Sequence, residues 1–297
     1  YATASWVTNT TIKTSGTTVY STNPATSNFT SNAGVFIGVN AGTNAVSADQ
    51  SNFIGSQAGM NAANSSNSNH LGTNAGANAG NAPNSNFIGR EAGSAATNAN
   101  SSNFIGYYSG ISAANASYSN FLGYQSGYYS TYAHDSNFIG GQAGFSAASA
   151  YQSNFIGVQA GKEATLAHDS NFIGTGAGYQ ASTASYSNFI GYNSGISAKN
   201  ANNSNFIGNQ AGNTANYADY SNLIGNWAGY TAHSASYANF LGYQAGIAAT
   251  KASVSNFIGQ NAGYYATYAA QANFIGYNAG YQDRKSTRLN SSHTDIS

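Results

Sequence analysis

The chain has no cysteine, few charged residues and no long apolar segment, and each absence removes a class of function. Without cysteine, neither a disulfide framework nor a thiolate metal site can form. Charged residues make up 5% of the 297 residues and the formal net charge is zero. We therefore expect no basic surface that would attract nucleic acid or an anionic membrane. No apolar run approaches the ~18 residues that a membrane-spanning helix needs, so direct membrane insertion is not expected.

What the chain does have is a seventeen-residue unit, S-N-F-I-G-x-x-A-G-x-x-A-x-x-A-x-x, which recurs fifteen times without insertion or deletion. We number the places of the unit from one to seventeen, so that Ser51 holds place one of the second copy. Glycine fills places five and nine of every copy, which accounts for thirty of the thirty-five glycines. A strict short period is typical of solenoids and fibres, in which each unit buries its apolar face against its neighbours.

The repeat divides the chain into three parts. Residues 1–33 are rich in threonine and serine and are expected to be an N-terminal cap or the end of a preceding module. Residues 34–282 carry the repeat and predict one continuous solenoid. Residues 283–297 lack the pattern and resemble a translated adapter, so we expect a non-native or disordered tail there. The chain begins at Tyr1 without a methionine, and we interpret it as a fragment of a longer protein.

The residues of the unit favour β-structure. Two glycines in every seventeen residues would each cost a helix about 1 kcal/mol relative to alanine, and glycine is not at every third place, as a collagen helix requires. The pattern predicts an all-β fold, a β-solenoid (β-roll or β-helix) of fifteen coils. Each coil would contain a short N-F-I strand that turns at the two glycines, and a second, weaker strand through the A-x-x-A-x-x half. Asparagine at place two of fourteen copies predicts a ladder of side-chain amides along the stack.

Apolar residues at two adjacent places, three and four, predict that both faces of the strand are shielded from water. Place three is phenylalanine in thirteen copies and place four is isoleucine or leucine in all fifteen. Because neighbouring side chains of a strand point to opposite faces, one column should fill the coil with the alanines of places eight, twelve and fifteen, and the other should lie outside. An exposed stripe of that size predicts self-association, for which three chains is the most familiar arrangement. A bend that turns both side chains inward is the monomeric alternative.

The S-N-F-I-G-x-x-A-G unit resembles the glycine-rich repeats of bacteriophage tail fibres and related bacterial surface proteins. It is similar, more loosely, to the head repeats of trimeric autotransporter adhesins, although the period differs. The resemblance covers residues 34–282. It implies a homotrimer or higher fibre at an extracellular location, either on a cell surface or in a virion tail fibre. It also implies a structural or adhesive role, with a cell-surface glycan or a protein receptor as the partner.

Few residues of the repeat could carry chemistry, and we expect the protein not to be an enzyme. No P-loop, nucleophile elbow or H-E-x-x-H motif occurs, and the sequence predicts no catalytic residue, cofactor or metal. The pairs His134-Asp135 and His168-Asp169 occupy equivalent places but lack a third partner in register, so we interpret them as solvated surface.

Tyrosine is the one residue type in excess among those that we expect at the surface, with 23 residues in the chain. Tyrosine presents a rigid amphipathic ring that can stack on sugars or on protein partners, and it can also stack on tyrosines of adjacent coils. A binding protein for an ordered surface such as ice is the alternative function, but it would need a regular threonine column, and the threonines are scattered. The candidate contact residues are the tyrosine pairs Tyr107, Tyr108, Tyr128, Tyr129, Tyr264 and Tyr265.

Overall fold

A computed structural model describes residues 34–284, and its strands are built from the repeat in the predicted register. No helix occurs among these residues. Within each of the two units described below, successive strands pair in parallel with partners seventeen residues apart, so the predicted all-β solenoid of stacked coils is confirmed. The predicted cap, residues 1–33, lies outside the described residues, as does the predicted tail from residue 285 onward. Of the tail, Asp283 still accepts a backbone hydrogen bond from Thr267, at 2.7 Å.

The described residues fall into two compact units, the first ending at Ser146 and the second beginning at Ala147. Within each unit the strands pair in sequence order. The strands of the first unit are β1 (Val35–Ile37), β2 (Asn52–Ile54), β3 (Asn69–Leu71), β4 (Asn86–Ile88), β5 (Asn103–Ile105), β6 (Asn120–Leu122) and β7 (Asn137–Ile139). Those of the second unit are β8 (Asn154–Ile156), β9 (Asn171–Ile173), β10 (Asn188–Ile190), β11 (Asn205–Ile207), β12 (Asn222–Ile224), β13 (Asn239–Leu241), β14 (Asn256–Ile258) and β15 (Asn273–Ile275).

The two glycines of the unit end the strand and let neighbouring groups approach closely. Place-five glycines have φ between 124° and 141°, a region that side-chain-bearing residues rarely adopt. A Cβ on Gly123 would collide with the backbone carbonyl of Gly140 in the next coil. The place-nine glycine has φ near 60°, and a Cβ on Gly127 would enter the ring of Phe121 in the same coil. One glycine is therefore required by the spacing between coils, and the other by the phenylalanine inside its own coil.

Most coils also turn at four places where a residue other than glycine has positive φ. In the second copy these are Gln57, Asn61, Asn64 and Asn67, with φ of 58°, 55°, 49° and 56°. Asparagine tolerates this left-handed conformation better than most residues, which explains its frequency at places seven, eleven, fourteen and seventeen. The sequence analysis predicted positive φ for the glycines only.

The core of each unit is a column of aromatic rings surrounded by alanine. Phenylalanines of place three are fully buried and stack coil on coil, with ring centroids 4.6 Å apart for Phe104 and Phe121 and 4.8 Å for Phe172 and Phe189. Alanines of places eight, twelve and fifteen line the remaining interior, and those described are almost all fully buried. The predicted inner column is confirmed.

A buried serine column links the coils from inside. The Ser187 hydroxyl donates to the Ala201 carbonyl of its own coil at 2.6 Å and accepts from the Ser204 amide of the next coil at 3.1 Å. The same pair of bonds recurs at place one along each unit. Because buried hydroxyls are costly without partners, this pairing explains why a polar residue stands at an interior place.

The outer side of the strand carries the asparagine and isoleucine columns. Asparagine side chains of place two form the predicted ladder, with Nδ2 to Oδ1 distances of 2.7 Å from Asn69 to Asn86 and 2.8 Å from Asn188 to Asn205. The isoleucines of place four point outward, and Ile207 is 36% exposed. The alternative in which both apolar columns turn inward is therefore wrong for the described coils.

The predicted second strand is reduced to one residue per coil. Place thirteen forms isolated parallel bridges, such as Thr165 to Ser182, rather than a strand. The residues on either side cannot extend the pairing because place fourteen has positive φ, as in Thr183 at 53°. A flat second sheet is excluded by that turn.

His70 replaces phenylalanine in the inner column of β3. Its ring is fully buried between Phe53 and Phe87, with centroids 4.6 and 4.9 Å away. Neither ring nitrogen has a hydrogen-bond partner. Burial lowers the pKa of His70 to about 3 because the charged form would lose its hydration.

Replacing a place-five glycine should destabilise the first unit. We expect Gly123→Ala to cost about 1–3 kcal/mol or more from backbone strain, because the new Cβ must also displace the next coil's carbonyl. Gly141→Ala is the matched control, since Gly141 has open space around its Cβ position and no positive φ. Thermal unfolding followed by circular dichroism measures both. Equal midpoints for the two variants would contradict the role given to place five.

His70 should make the first unit sensitive to acid. Above pH 6.5 the residue is neutral in the folded and unfolded states, so it adds no pH dependence. Between pH 6.5 and about 3 only the unfolded state takes up the proton, so stability should fall by about 1.4 kcal/mol per pH unit as the pH is lowered.

We expect His70→Phe to raise stability and to remove this part of the acid sensitivity. Denaturant midpoints at pH 7 and pH 4 measure the difference. Leu223→Phe, at the other non-phenylalanine position of the column, is the control and should change stability equally at both pH values. A His70→Phe effect that does not depend on pH would overturn the assignment.

Candidate functional site

The six predicted tyrosines lie at corners of the coils, where each pair forms a ring contact. Centroid distances are 3.9 Å for Tyr107 and Tyr108, and 4.3 Å for Tyr128 and Tyr129. Tyr108 and Tyr129 have φ of 61° and 53°, so the chain turns between the members of a pair. Neighbouring rings therefore meet, whereas on a strand they would point to opposite faces.

The first two pairs belong to one continuous cluster in the first unit. Tyr108 lies 6.4 Å from Tyr128, which joins the pairs. Tyr107 stacks on Tyr124 at 5.7 Å with an interplanar angle of 3°, and Tyr128 stacks on Phe145 at 5.1 Å with 6°. We call this cluster the aromatic patch; its residues are Tyr107, Tyr108, Tyr124, Tyr128, Tyr129 and Phe145.

Sequence reasoning missed Tyr124 and Phe145 as members of the patch. Each stands seventeen residues after a predicted member, so the period itself could have found them. The prediction rested on tyrosines that are adjacent in sequence, whereas the rings that stack face to face belong to residues one coil apart.

Arg90 and Glu91 lie beside the aromatic patch. The Arg90 guanidinium carbon is 5.5 Å from the Tyr107 ring centroid and 6.0 Å from that of Tyr108, within the range of a cation–π interaction. Arg90 Nε is also 3.5 Å from Glu91 Oε1. The guanidinium is therefore held against the rings while its charge is balanced locally, and the patch as a whole is close to neutral.

Two phenols of the patch, those of Tyr108 and Tyr128, have raised pKa values. A hydrogen bond with Tyr107 is the main cause that raises the pKa of Tyr108, and a hydrogen bond with Tyr129 does the same for the pKa of Tyr128. The patch thus offers flat rings, hydroxyl donors and one cation. This combination can bind a ligand by stacking and hydrogen bonding.

The third predicted pair, Tyr264 and Tyr265, lies in the second unit and is described separately. Its ring centroids are 4.6 Å apart, and Tyr264 stacks on Tyr281 at 5.0 Å. Partial burial is the main cause that raises the pKa of Tyr264. This group is smaller than the aromatic patch and has no cation–π contact among the described residues.

The two histidine–aspartate pairs form direct contacts. Nδ1 and Oδ2 are 2.8 Å apart both in His134–Asp135 and in His168–Asp169. Asp135 and Asp169 have positive φ and belong to turns, which brings each aspartate side chain back to the histidine beside it. Residues 34–284 contain no group of three or more side chains placed to hold a metal.

Threonines are more ordered than the sequence analysis expected, although no complete column forms. Place thirteen holds Thr97, Thr131, Thr165, Thr250 and Thr267. Alanine, glycine and larger polar residues interrupt them, among them Lys199, Asn216 and His233. The described coils therefore lack the regular threonine array that the ice-binding alternative requires.

Comparisons with known proteins leave the site to be judged on its geometry. Residues 34–284 contain no helix with the length and apolarity to span a membrane. No protein-family model matches the chain, and no curated protein has a matching sequence.

Proposed function

We propose that this chain is a structural and adhesive repeat segment of an extracellular fibre on a virion or cell surface. The observation that carries the proposal is the division between inward and outward places. Inward places hold the same small set of residues in nearly every coil, namely phenylalanine, alanine, serine and glycine. Outward places other than two and four vary freely, as expected of a scaffold that presents different side chains at regular positions.

The bonding between coils supports a rigid scaffold. Backbone amides on several sides of each coil donate to the neighbouring coil, as from Gly191 to Ile173, from Asn200 to Ser182 and from Gly195 to Ala211. The asparagine ladder and the serine column add side-chain bonds in the same direction. A coil cannot shift without breaking bonds on more than one side, which favours a stiff array.

Attachment is assigned to the aromatic patch. Its rings are partly exposed, with Tyr107 at 38% and Tyr124 at 51%, and they are already held by stacking, so little side-chain entropy is lost when a ligand binds. The apolar face of a sugar ring stacks on such a surface while its hydroxyls meet the phenols and nearby amides. A cell-surface glycan is therefore the preferred partner, with a protein receptor as the other candidate.

Mutation of the aromatic patch tests attachment. The test variant carries Tyr107→Ser, Tyr108→Asn, Tyr128→Ser and Tyr129→Ser, and each new residue already occupies the same place in another coil, at Ser56, Asn74, Ser94 and Ser112. The original chain should bind a subset of glycans on an array. The variant should bind them at least ~10-fold more weakly, since each ring contact contributes about 0.5–1.5 kcal/mol.

The control is the double variant Tyr264→Ser and Tyr265→Ser, which removes the tyrosine pair of the second unit. It should retain the glycan binding of the original chain. If the original chain bound no glycan, or if both variants lost binding equally, attachment through the aromatic patch would be refuted.

A further inference from the structure

The outward-pointing isoleucines of place four do not pack in the interior of the coil. Every described coil carries isoleucine or leucine at place four, and Ile190, Ile207 and Ile224 are each 36–37% exposed. We call this column the isoleucine stripe. Its members are Ile37, Ile54, Leu71, Ile88, Ile105, Leu122 and Ile139 in the first unit, and Ile156, Ile173, Ile190, Ile207, Ile224, Leu241, Ile258 and Ile275 in the second.

The regularity of the stripe requires an explanation outside the coil. Place six is also exposed in nearly every coil and lies two residues further on, and it holds valine, serine, threonine, arginine, tyrosine, glycine, asparagine and glutamine in different coils. Place four accepts only isoleucine and leucine. Parallel sheets are also almost always covered on both faces, and the phenylalanine column covers only the inner face here.

The surroundings of the stripe suit a neutral partner. On one side run the place-two asparagines, whose amides bond to one another along the stack, as from Asn205 to Asn222 at 2.8 Å. On the other side, Arg90 is the only Asp, Glu, Lys, Arg or His residue at place six. A partner with the same neutral face would therefore meet no repulsion between like charges.

We propose that the isoleucine stripe packs against the isoleucine stripe of a second copy of this chain. Its side chains repeat once per coil, at the spacing of the parallel strands, and a second copy presents the same side chains at the same spacing. Two such rows can interdigitate over many coils, whereas a surface of any other period would lose register after a few.

The area available within one unit is on the scale of such a contact. A third of an isoleucine surface is on the order of 60 Å², so the eight stripe residues of the second unit expose on the order of 500 Å², more than half of the ~800 Å² per partner of a standard protein interface. The pairing deepens the proposed fibre function by naming the contact between chains. The stripe residues changed in the test below lie in the second unit, whereas the aromatic patch lies in the first, so either assignment can fail alone.

Light scattering on the full chain tests the pairing. The original chain, of 30.4 kDa, should have two or three times that mass in solution. The test variant carries Ile190→Lys, Ile207→Glu and Ile224→Lys, with alternating charges so that adjacent coils do not repel. It should have the mass of one chain, with an unchanged circular dichroism spectrum.

The matched control changes three outward residues of place seventeen, with Tyr220→Lys, Tyr237→Glu and Val254→Lys. These residues are 52%, 58% and 55% exposed and lie on consecutive coils of the same unit. The control should keep the mass of the original chain. A monomeric original chain, or a stripe variant that keeps the higher mass, would overturn the proposal.

Thiol labelling provides a second test that does not depend on the charged variant folding. Because the chain lacks cysteine, Ile207→Cys and Val254→Cys each introduce a single thiol at an exposed place. In concentrated solution Cys at position 207 should react with a maleimide at least ~10-fold more slowly than Cys at position 254, and dilution to the monomer should remove the difference. Equal labelling rates at the two positions would contradict the pairing. Slow labelling of position 207 in a monomer would also contradict it, because another segment of the same chain would then cover the stripe.

Discussion

The structure depends on the close approach of successive coils at the place-five glycine. There the backbone of one coil lies so near the carbonyl of the next that no Cβ fits, as between Gly123 and Gly140. This spacing sets the distance at which the phenylalanine rings stack, 4.6–5.0 Å, and the distance over which the serine and asparagine side chains bond. Because one coil alone leaves its ring and its amides open to water, the fold is stable only as an array.

Interior and surface places of the stack are under different constraints. Inside, each place has one neighbour above and one below with the same chemistry, so a departure such as His70 is left without polar partners. Outside, a side chain can change without disturbing the coil, because the backbone bonds do not involve it. The variable outward places can therefore carry different side chains from coil to coil, as in the aromatic patch, whereas the isoleucine stripe keeps the same residue type in every coil.

Much of the fold could be predicted from the sequence, because the period fixes which residues lie above one another. The N-F-I strand, the glycine turns, the phenylalanine core and the asparagine ladder all follow from that register. The corners could not be predicted, since positive φ at residues such as Tyr108 and Asp135 leaves only a weak compositional signal. For the same reason the aromatic patch was found in part: the pairs were visible in the sequence, but the contact from Tyr108 to Tyr128 depends on how the chain turns.

The central claim is that coils stack in register, with bonds between coils repeating every seventeen residues. Amide hydrogen exchange followed by mass spectrometry tests it most directly. We expect slow exchange at places two, five, nine and thirteen of interior coils, where amides such as those of Asn188, Gly191, Gly195 and Thr165 donate to a neighbouring coil. Fast exchange throughout the repeat, or protection in long blocks without the seventeen-residue period, would contradict the stacked-coil structure.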